Sequence, residues 1–340
     1  MKPAAKASPV APGGLASHID AEARSWLGLL RSVRSWVVCP HMKPDADTLG
    51  SSLALAALLR QLGNRAVVVC TDPVVDRFGF LPGAHEVVVG SLPADLPPDT
   101  GVVTLDAADF DRLGALGPQL RALHPFVNLD HHVSNKRFGT HNWIDTASAA
   151  TGELVYLLHD LFDVPVQRDT AELLYAALVT DTGFFRYPAT TARTLAIASA
   201  LVATGIDFPR VIECIYERQA AGAIRLAGMA LAKFHLEAGG QVAWTSIPLA
   251  MFDEAGATED DAEGIIEELR KIEGVQILYI LRESRESGVR VSLRAKHGHD
   301  VNAIARQFNG GGHLAAAGCV IDAPLAEAEE RLKAAVLASL

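Results

Sequence analysis

Five short segments in the first 130 residues constrain the fold more than anything else in the chain: SWVVC (35–39), AVVVCT (66–71), EVVVG (86–90), VVTLD (102–106) and FVNLD (126–130). Each is a nearly unbroken apolar run rich in β-branched side chains, the pattern of strands covered on both faces of a parallel sheet. Helix-like patterns lie between them, such as LGSSLALAALLRQLG (49–63), which ends on a glycine suited to a C-cap. Alternation of this kind predicts a doubly wound α/β sheet with right-handed crossovers.

From about residue 148 the chain turns helical, with expected helices over 148–162, 168–180, 190–204 and 207–235. A second, smaller α/β pattern begins at QVAWTSI (241–247). It runs through a charged helix at 258–272, strands VQILYILRE (275–283) and GVRVSLRAK (288–296), a short helix from Asp300, the glycine run 310–312 and a last helix at 324–339. The expected organisation is a flexible Pro- and Ala-rich tail (1–17), a first domain (18–205), a helical linker (206–235) and a second domain (236–340). A cleft between the two domains is the expected binding place.

The formal net charge of −10 argues against a long nucleic-acid footprint, which needs many Lys and Arg contacts to phosphates. It leaves room for a short anionic substrate held at one cationic spot. Without a run of roughly 20 apolar residues or a secretory h-region, neither a membrane span nor a signal is expected. Cys39, Cys70, Cys214 and Cys319 stand singly, with no CxxC spacing. They read as buried free thiols in a reducing cytoplasm.

Ligands of open α/β sheets bind beyond the carboxyl ends of the strands, and here those ends carry acids and imidazoles. The first runs into His41, Asp45 and Asp47; another ends at Asp106; a third ends at Asp130, His131 and His132. A fourth cluster, LVTDTGFF (178–185), puts Asp181 before a glycine turn. Brought together, so many carboxylates repel one another unless divalent cations sit among them. The mixture of carboxylate and imidazole suits Mn²⁺, with Co²⁺ or Mg²⁺ as substitutes, better than a Cys/His zinc site. His297 and His299, in KHGHD (296–300), read as loop residues before an N-cap at Asp300.

The set HxxxDxD (41–47), Asp106 in TLDAADFDRLG, DHH (130–132) and Asp181 in VTDTGFF resembles the four motifs of the DHH phosphoesterase superfamily. The segment 288–318, with VSLRAK and GGGHLAAAG, resembles the associated DHHA1 domain, and the order of motifs is similar to the nanoRNase/pAp-phosphatase branch. That resemblance implies a DHH domain followed by a DHHA1 domain. It assigns His41, Asp45 and Asp106 to one metal, and Asp47, Asp106, His131 and Asp181 to another, with Asp106 bridging. It turns His132 toward the substrate phosphate, and it makes Gly310, Gly311, Gly312, His313 and Arg294 substrate-binding. Asp130 reads as orienting His131 or His132 by a hydrogen bond and not as touching metal. The backbone N–H groups of Gly310–Gly312 are expected at a helix start, as an anion site.

The implied activity is a cytoplasmic, two-metal, Mn²⁺-dependent hydrolase. It would degrade very short oligonucleotides (nanoRNA) to mononucleotides and also remove the 3′-phosphate of adenosine 3′,5′-bisphosphate (pAp). A homodimer is implied as well. The rivals are a phosphodiesterase for linear or cyclic dinucleotides (pApA, pGpG, c-di-AMP), an inorganic pyrophosphatase, against which the GGGH segment counts, and a non-catalytic nucleotide sensor.

Overall fold

The β-branched runs of the N-terminal half form a parallel sheet, and its order explains where the acids meet. The computed structural model describes residues 21–340 other than 263, 287 and 297, and leaves aside the side chains of 21–26 and 313; the expected tail, 1–17, lies outside the described residues. The chain divides into two compact units between Arg218 and Gln219.

In the first unit the elements run α1 (Ala21–Ser32), β1 (Ser35–Pro40), α2 (Ala46–Gln61), β2 (Arg65–Cys70), β3 (Val88–Val89), β4 (Gly101–Leu105) and α3 (Gly117–Leu120). They continue through β5 (Phe126–Asp130), β6 (His141–Ile144), α4 (Thr151–Phe162), α5 (Arg168–Asp181), α6 (Ala192–Ala203) and α7 (Phe208–Ile212). Among the described residues six strands pair, all parallel, in the order β3-β2-β1-β4-β5-β6. Every residue of β1, β4 and β5 is buried, because successive side chains feed two different cores. Trp36, Val38, Val103, Leu105, Val127 and Leu129 pack with the side chains of α2, α4 and α5. Val37, Cys39, Val102 and Phe126 pack on the other face with Leu113, Leu116 and Leu120. Continuous hydrophobicity is thus two interleaved period-2 patterns. The winding direction reverses between β1 and β4, so the crevice beyond their carboxyl ends is the topological switch point.

Helix α2 starts three residues earlier than its apolar pattern, with Asp45 as N-cap, and stops where Gly63 takes a left-handed φ of 84°. It lies so close to α5 that a Cβ on Gly50 would come within 2.6 Å of the Leu173 carbonyl oxygen.

The second unit contains α8 (Ala221–Leu231), β7 (His235–Glu237), β8 (Val242–Ile247), α9 (Leu249–Ala255), α10 (Ile265–Leu269) and β9 (Ile277–Glu283). After these come β10 (Val289–Ala295), α11 (Val301–Arg306), β11 (Gly311–His313), β12 (Ala316–Ile321) and α12 (Leu325–Leu337). Its sheet has the order β11-β12-β10-β9-β8-β7, antiparallel except for the β8–β9 pair.

Three expectations need correction. The helix over 207–235 is instead α7, a π turn at Glu213–Glu217 and, after an extended Ala220, α8 and β7; the break coincides with passage from one unit to the other. The charged helix at 258–272 shrinks to a short 3₁₀ turn and α10, because Gly264 is left-handed at φ 88°. The glycine run does not open a helix. Gly311–His313 are β11, and Gly310 lies so near β12 that a Cβ there would meet the Gly318 carbonyl oxygen at 2.3 Å.

Candidate metal centre

Chain exit from β1 places the first imidazole. His41 is 3% exposed; its backbone N–H donates to Thr48 Oγ1 (3.1 Å), and its Nδ1 donates to the Met42 carbonyl (2.8 Å). Thr48 Oγ1 in turn donates to the Leu105 carbonyl, tying α2 to β4. His41 Nε2 is left facing Asp45 Oδ2 and Asp106 Oδ2, each at 3.6 Å. Asp45 spends its other oxygen, Oδ1, on the N–H groups of Asp47 and Thr48, both at 3.0 Å.

Asp47 sits in the first turn of α2 and is wholly buried. Its oxygens accept from Thr151 N (2.7 Å) and Gly152 N (2.9 Å), so a carboxylate closes the N-terminus of α4, where unpaired N–H groups and the helix dipole favour negative charge. Asp106 follows β4 with φ at 60°, a conformation that non-glycine residues hold only when their surroundings impose it. Its Oδ1 accepts from Thr151 Oγ1 (3.0 Å) and faces His131 Nε2 (3.4 Å), while Oδ2 faces His41.

At the end of β5, Asp130 Oδ1 accepts from His131 N (2.8 Å) and His132 Nδ1 (2.7 Å), and Oδ2 accepts from Asn135 Nδ2 (2.6 Å). His131 Nδ1 donates to the Ser148 carbonyl (3.2 Å). Its Nε2 then faces Asp181 Oδ2 at 3.0 Å, Asp106 Oδ1 at 3.4 Å and Asp47 Oδ2 at 3.9 Å, yet it is buried with no aligned hydrogen-bond partner. A ring nitrogen aimed among three carboxylate oxygens without a hydrogen bond is what a metal ligand looks like. Among the described residues, His41, Asp45 and Asp106 form one group with all ligand atoms within 4.8 Å of one another. Asp47, His131 and Asp181 form a second, and Asp106, Asp130, His131 and His132 a third. The donors present therefore fit a pair of cations, with the two oxygens of Asp106 turned to different groups.

Residues 35–178 match the DHH family, N-terminal domain, and residues 239–340 match the DHHA1 domain. A Thermus thermophilus protein named bifunctional oligoribonuclease and PAP phosphatase NrnA is 34% identical over 88% of this chain and 88% of its own. The chain belongs to the DHH–DHHA1 family. A Bacillus subtilis protein of the same name is 26% identical over 83% of this chain and 87% of its own. The crystal structure of an exopolyphosphatase-related protein from Bacteroides fragilis shares the fold, with a TM-score of 0.86 at 24% identity, over 94% of this chain and 96% of that one. As a DHH–DHHA1 protein the chain is a phosphoester hydrolase.

In this DHH site the carboxylates demand positive charge, and without metal the protons supply it. Burial pushes the Asp47 carboxyl well above its ordinary value, helped by Asp106 and Asp181 and opposed by His131. Burial likewise raises Asp181. For Asp106 burial works upward too, but His131 and His41 outweigh it and hold the carboxyl below the usual range. Burial opposes the charged form of His41, yet Asp106 and Asp45 lift it to about 9. Against the same penalty, Asp106 and Asp181 lift His131 to about 12. His132 also rises, since Asp130 and Asp106 outweigh its burial.

The structure thus gathers His41, Asp45, Asp47, Asp106, Asp130, His131, His132 and Asp181 in one place, with Asp130 bonded to His132. The motifs do not reveal Thr151 and Gly152, whose N–H groups fix Asp47, or Ser148 and Asn135. Nor do they reveal Arg193, which donates to Glu153 Oε2 (3.0 Å), Ser148 Oγ (2.8 Å) and Asp145 Oδ2 (3.2 Å) and so pins the turn before α4. The small polar run SAATGE (148–153) ahead of an apolar helix is the available signal for the first two.

In the second unit, Gly310 lines a cavity of about 570 Å³ with Arg282, Arg290, Phe308, Asn309 and Val320. Arg294 is not among its lining residues: it faces Glu267 Oε1 at 3.6 Å and donates to the Leu293 carbonyl. Sheet register puts Arg294 and His313 opposite the same residue, Ala316. His313's side chain and all of His297 lie outside the described residues; His299 is paired with Gln276 Oε1 (2.7 Å), and Asp300 caps α11.

Proposed function

We propose that this chain is a Mn²⁺-dependent hydrolase of very short oligonucleotides, yielding mononucleotides, which also removes the 3′-phosphate of adenosine 3′,5′-bisphosphate. The observation that carries the reading is Asp106, one carboxylate whose two oxygens face two separate donor groups, His41/Asp45 on one side and His131 on the other. A mixed oxygen and imidazole donor set suits Mn²⁺, with Co²⁺ or Mg²⁺ as substitutes. When bound, such a pair activates water and neutralises the phosphoryl oxygens during in-line displacement.

The chain's own groups do the rest. Asp130 Oδ1 fixes His132 through Nδ1, so the imidazole presents Nε2 as a proton donor to the leaving oxygen. The α4 N-terminus holds Asp47 rigidly as a ligand. In the second unit Arg282 and Arg290 stand directly opposite each other across β9 and β10 and line the cavity with Gly310. Two guanidinium groups so placed favour a phosphate between them. Gly311, Gly312, His313 and Arg294 extend this substrate-binding surface along the same sheet. The names of the Thermus and Bacillus relatives support this pair of activities, and the net charge of −10 favours short substrates over long ones. The enzyme acts as a homodimer, as the resemblance implies. Its place is the cytoplasm, where its four buried free thiols stay reduced.

The test is a length series, from dinucleotide to 20-mer, together with adenosine 3′,5′-bisphosphate, in Mn²⁺ and in EDTA. Rapid cleavage of the shortest substrates, phosphate release from the bisphosphate and silence in EDTA are expected. Preference for the 20-mer would overturn the reading.

A further inference from the structure

Immediately after Asp181 the backbone does something only glycine does at ease: Gly183, Phe184 and Phe185 are consecutively left-handed, with φ of 53°, 63° and 60°. Phe184 N–H donates to the Val179 carbonyl (2.7 Å), Phe185 N–H to Thr182 Oγ1 (2.9 Å), and Arg186 Nε to the Gly183 carbonyl (2.6 Å). The Tyr187 ring lies against Gly183 so tightly that a Cβ there would sit 2.3 Å from it. Two adjacent phenylalanines in this conformation persist only because their surroundings impose it, and such segments cluster at sites that use them.

The strained turn sorts the two rings. Phe185 goes inward, against the core and 6.4 Å from the Tyr175 ring. Phe184 goes outward: it is 44% exposed, absent from the core, and held edge-on to Tyr216 with ring centroids 6.1 Å apart at 90°. Tyr187, whose ring covers Gly183, is 40% exposed. Tyr216 is itself anchored, its hydroxyl donating to the Val179 carbonyl (2.8 Å), and it lies in a π turn, a rare distortion often found at functional sites. The Val179 carbonyl, two residues before Asp181 on α5, accepts from both the Tyr216 hydroxyl and the Phe184 N–H, so the two rings are tied to the end of the helix that carries Asp181.

We propose that Phe184 is a base-stacking residue whose exposed ring, propped by Tyr216 beside Asp181, receives a nucleobase of the substrate whose phosphate lies at the metal centre. The inference rests on the oligonucleotide reading above and adds to it a residue that sets preference for base-bearing substrates. A ring locked in place loses little freedom on stacking, and any of the four bases offers it a π face.

The test compares a dinucleotide with its analogue lacking one base, in the full protein with Mn²⁺, for wild type, Phe184→Leu, Phe184→Gly and Phe184→Trp. Glycine keeps the left-handed turn and removes the ring, so it separates stacking from backbone geometry. The ratio of kcat/KM between the two substrates should fall about ten-fold in the Leu and Gly variants, through KM, and be retained in the Trp variant. An unchanged ratio in the Gly variant, or an equal loss on both substrates, would overturn the role of Phe184 while leaving the hydrolase reading intact. A wild type that cleaves neither would overturn both.

Discussion

Replacing Thr151 by valine removes one hydroxyl from a wholly buried position and keeps the shape of the side chain. In the structure that hydroxyl donates to Asp106 Oδ1 at 3.0 Å, while the Thr151 and Gly152 N–H groups continue to hold Asp47. A hydrogen bond to a charged group contributes about 1.5–3 kcal/mol. Asp106 Oδ1 keeps His131 and His132 within 3.5 Å, so the low end applies. About 1.5 kcal/mol in a unit of this size lowers the melting temperature by roughly 3–6 °C. The larger effect is on metal: loss of a partner that orients a ligand costs about 10–100-fold in affinity. Titration of Mn²⁺ into metal-stripped Thr151→Val, followed calorimetrically, should show that loss, and activity should return at high Mn²⁺. Unchanged Mn²⁺ affinity and an unchanged melt would refute the view that α4 orients Asp106.

His41 and His131 have folded pKa values of about 9 and about 12, above the ordinary 6.5, so their ion pairs stabilise the metal-free protein fully below about pH 6.5. That stability is lost as pH rises through 9 and then 12, so melts of EDTA-treated protein should decline with rising alkalinity. Metal must displace these protons, so Mn²⁺ binding should tighten with pH and release protons, seen as a buffer-dependent heat; a heat independent of buffer would refute this. Arg193→Met leaves Glu153, 0% exposed, without its cation, and should cost about 3–5 kcal/mol in chemical denaturation. Adding Glu153→Gln should recover much of that loss, and no recovery would show that Arg193 acts by packing alone.

How far the sequence reaches is visible in particular residues. The meeting of His41, Asp106 and the Asp130–His132 run is legible because parallel strands buried on both faces declare themselves, and the carboxyl ends of neighbouring parallel strands lie side by side. Asp181 was legible only by motif, since it ends a helix and not a strand. Thr151 and Gly152 were hidden because they act largely through backbone N–H groups, which have no side-chain signature, on a carboxylate more than 100 residues away. Strands β6, β7, β11 and β12 have no clear sequence signature, because short or glycine-rich edges carry little alternation. The glycine run misled for a related reason. The same absence of Cβ that suits an anion-binding loop also suits close approach of two strands, and here the second use is the one seen.

The proposed hydrolase depends above all on Asp106 being shared between two cations. Anomalous diffraction at the manganese edge, from crystals grown with Mn²⁺, tests it most directly. Two peaks about 3.5–4 Å apart are expected, one against His41, Asp45 and Asp106 and the other against Asp47, Asp106, His131 and Asp181. A single peak, or two that do not share Asp106, would contradict the account.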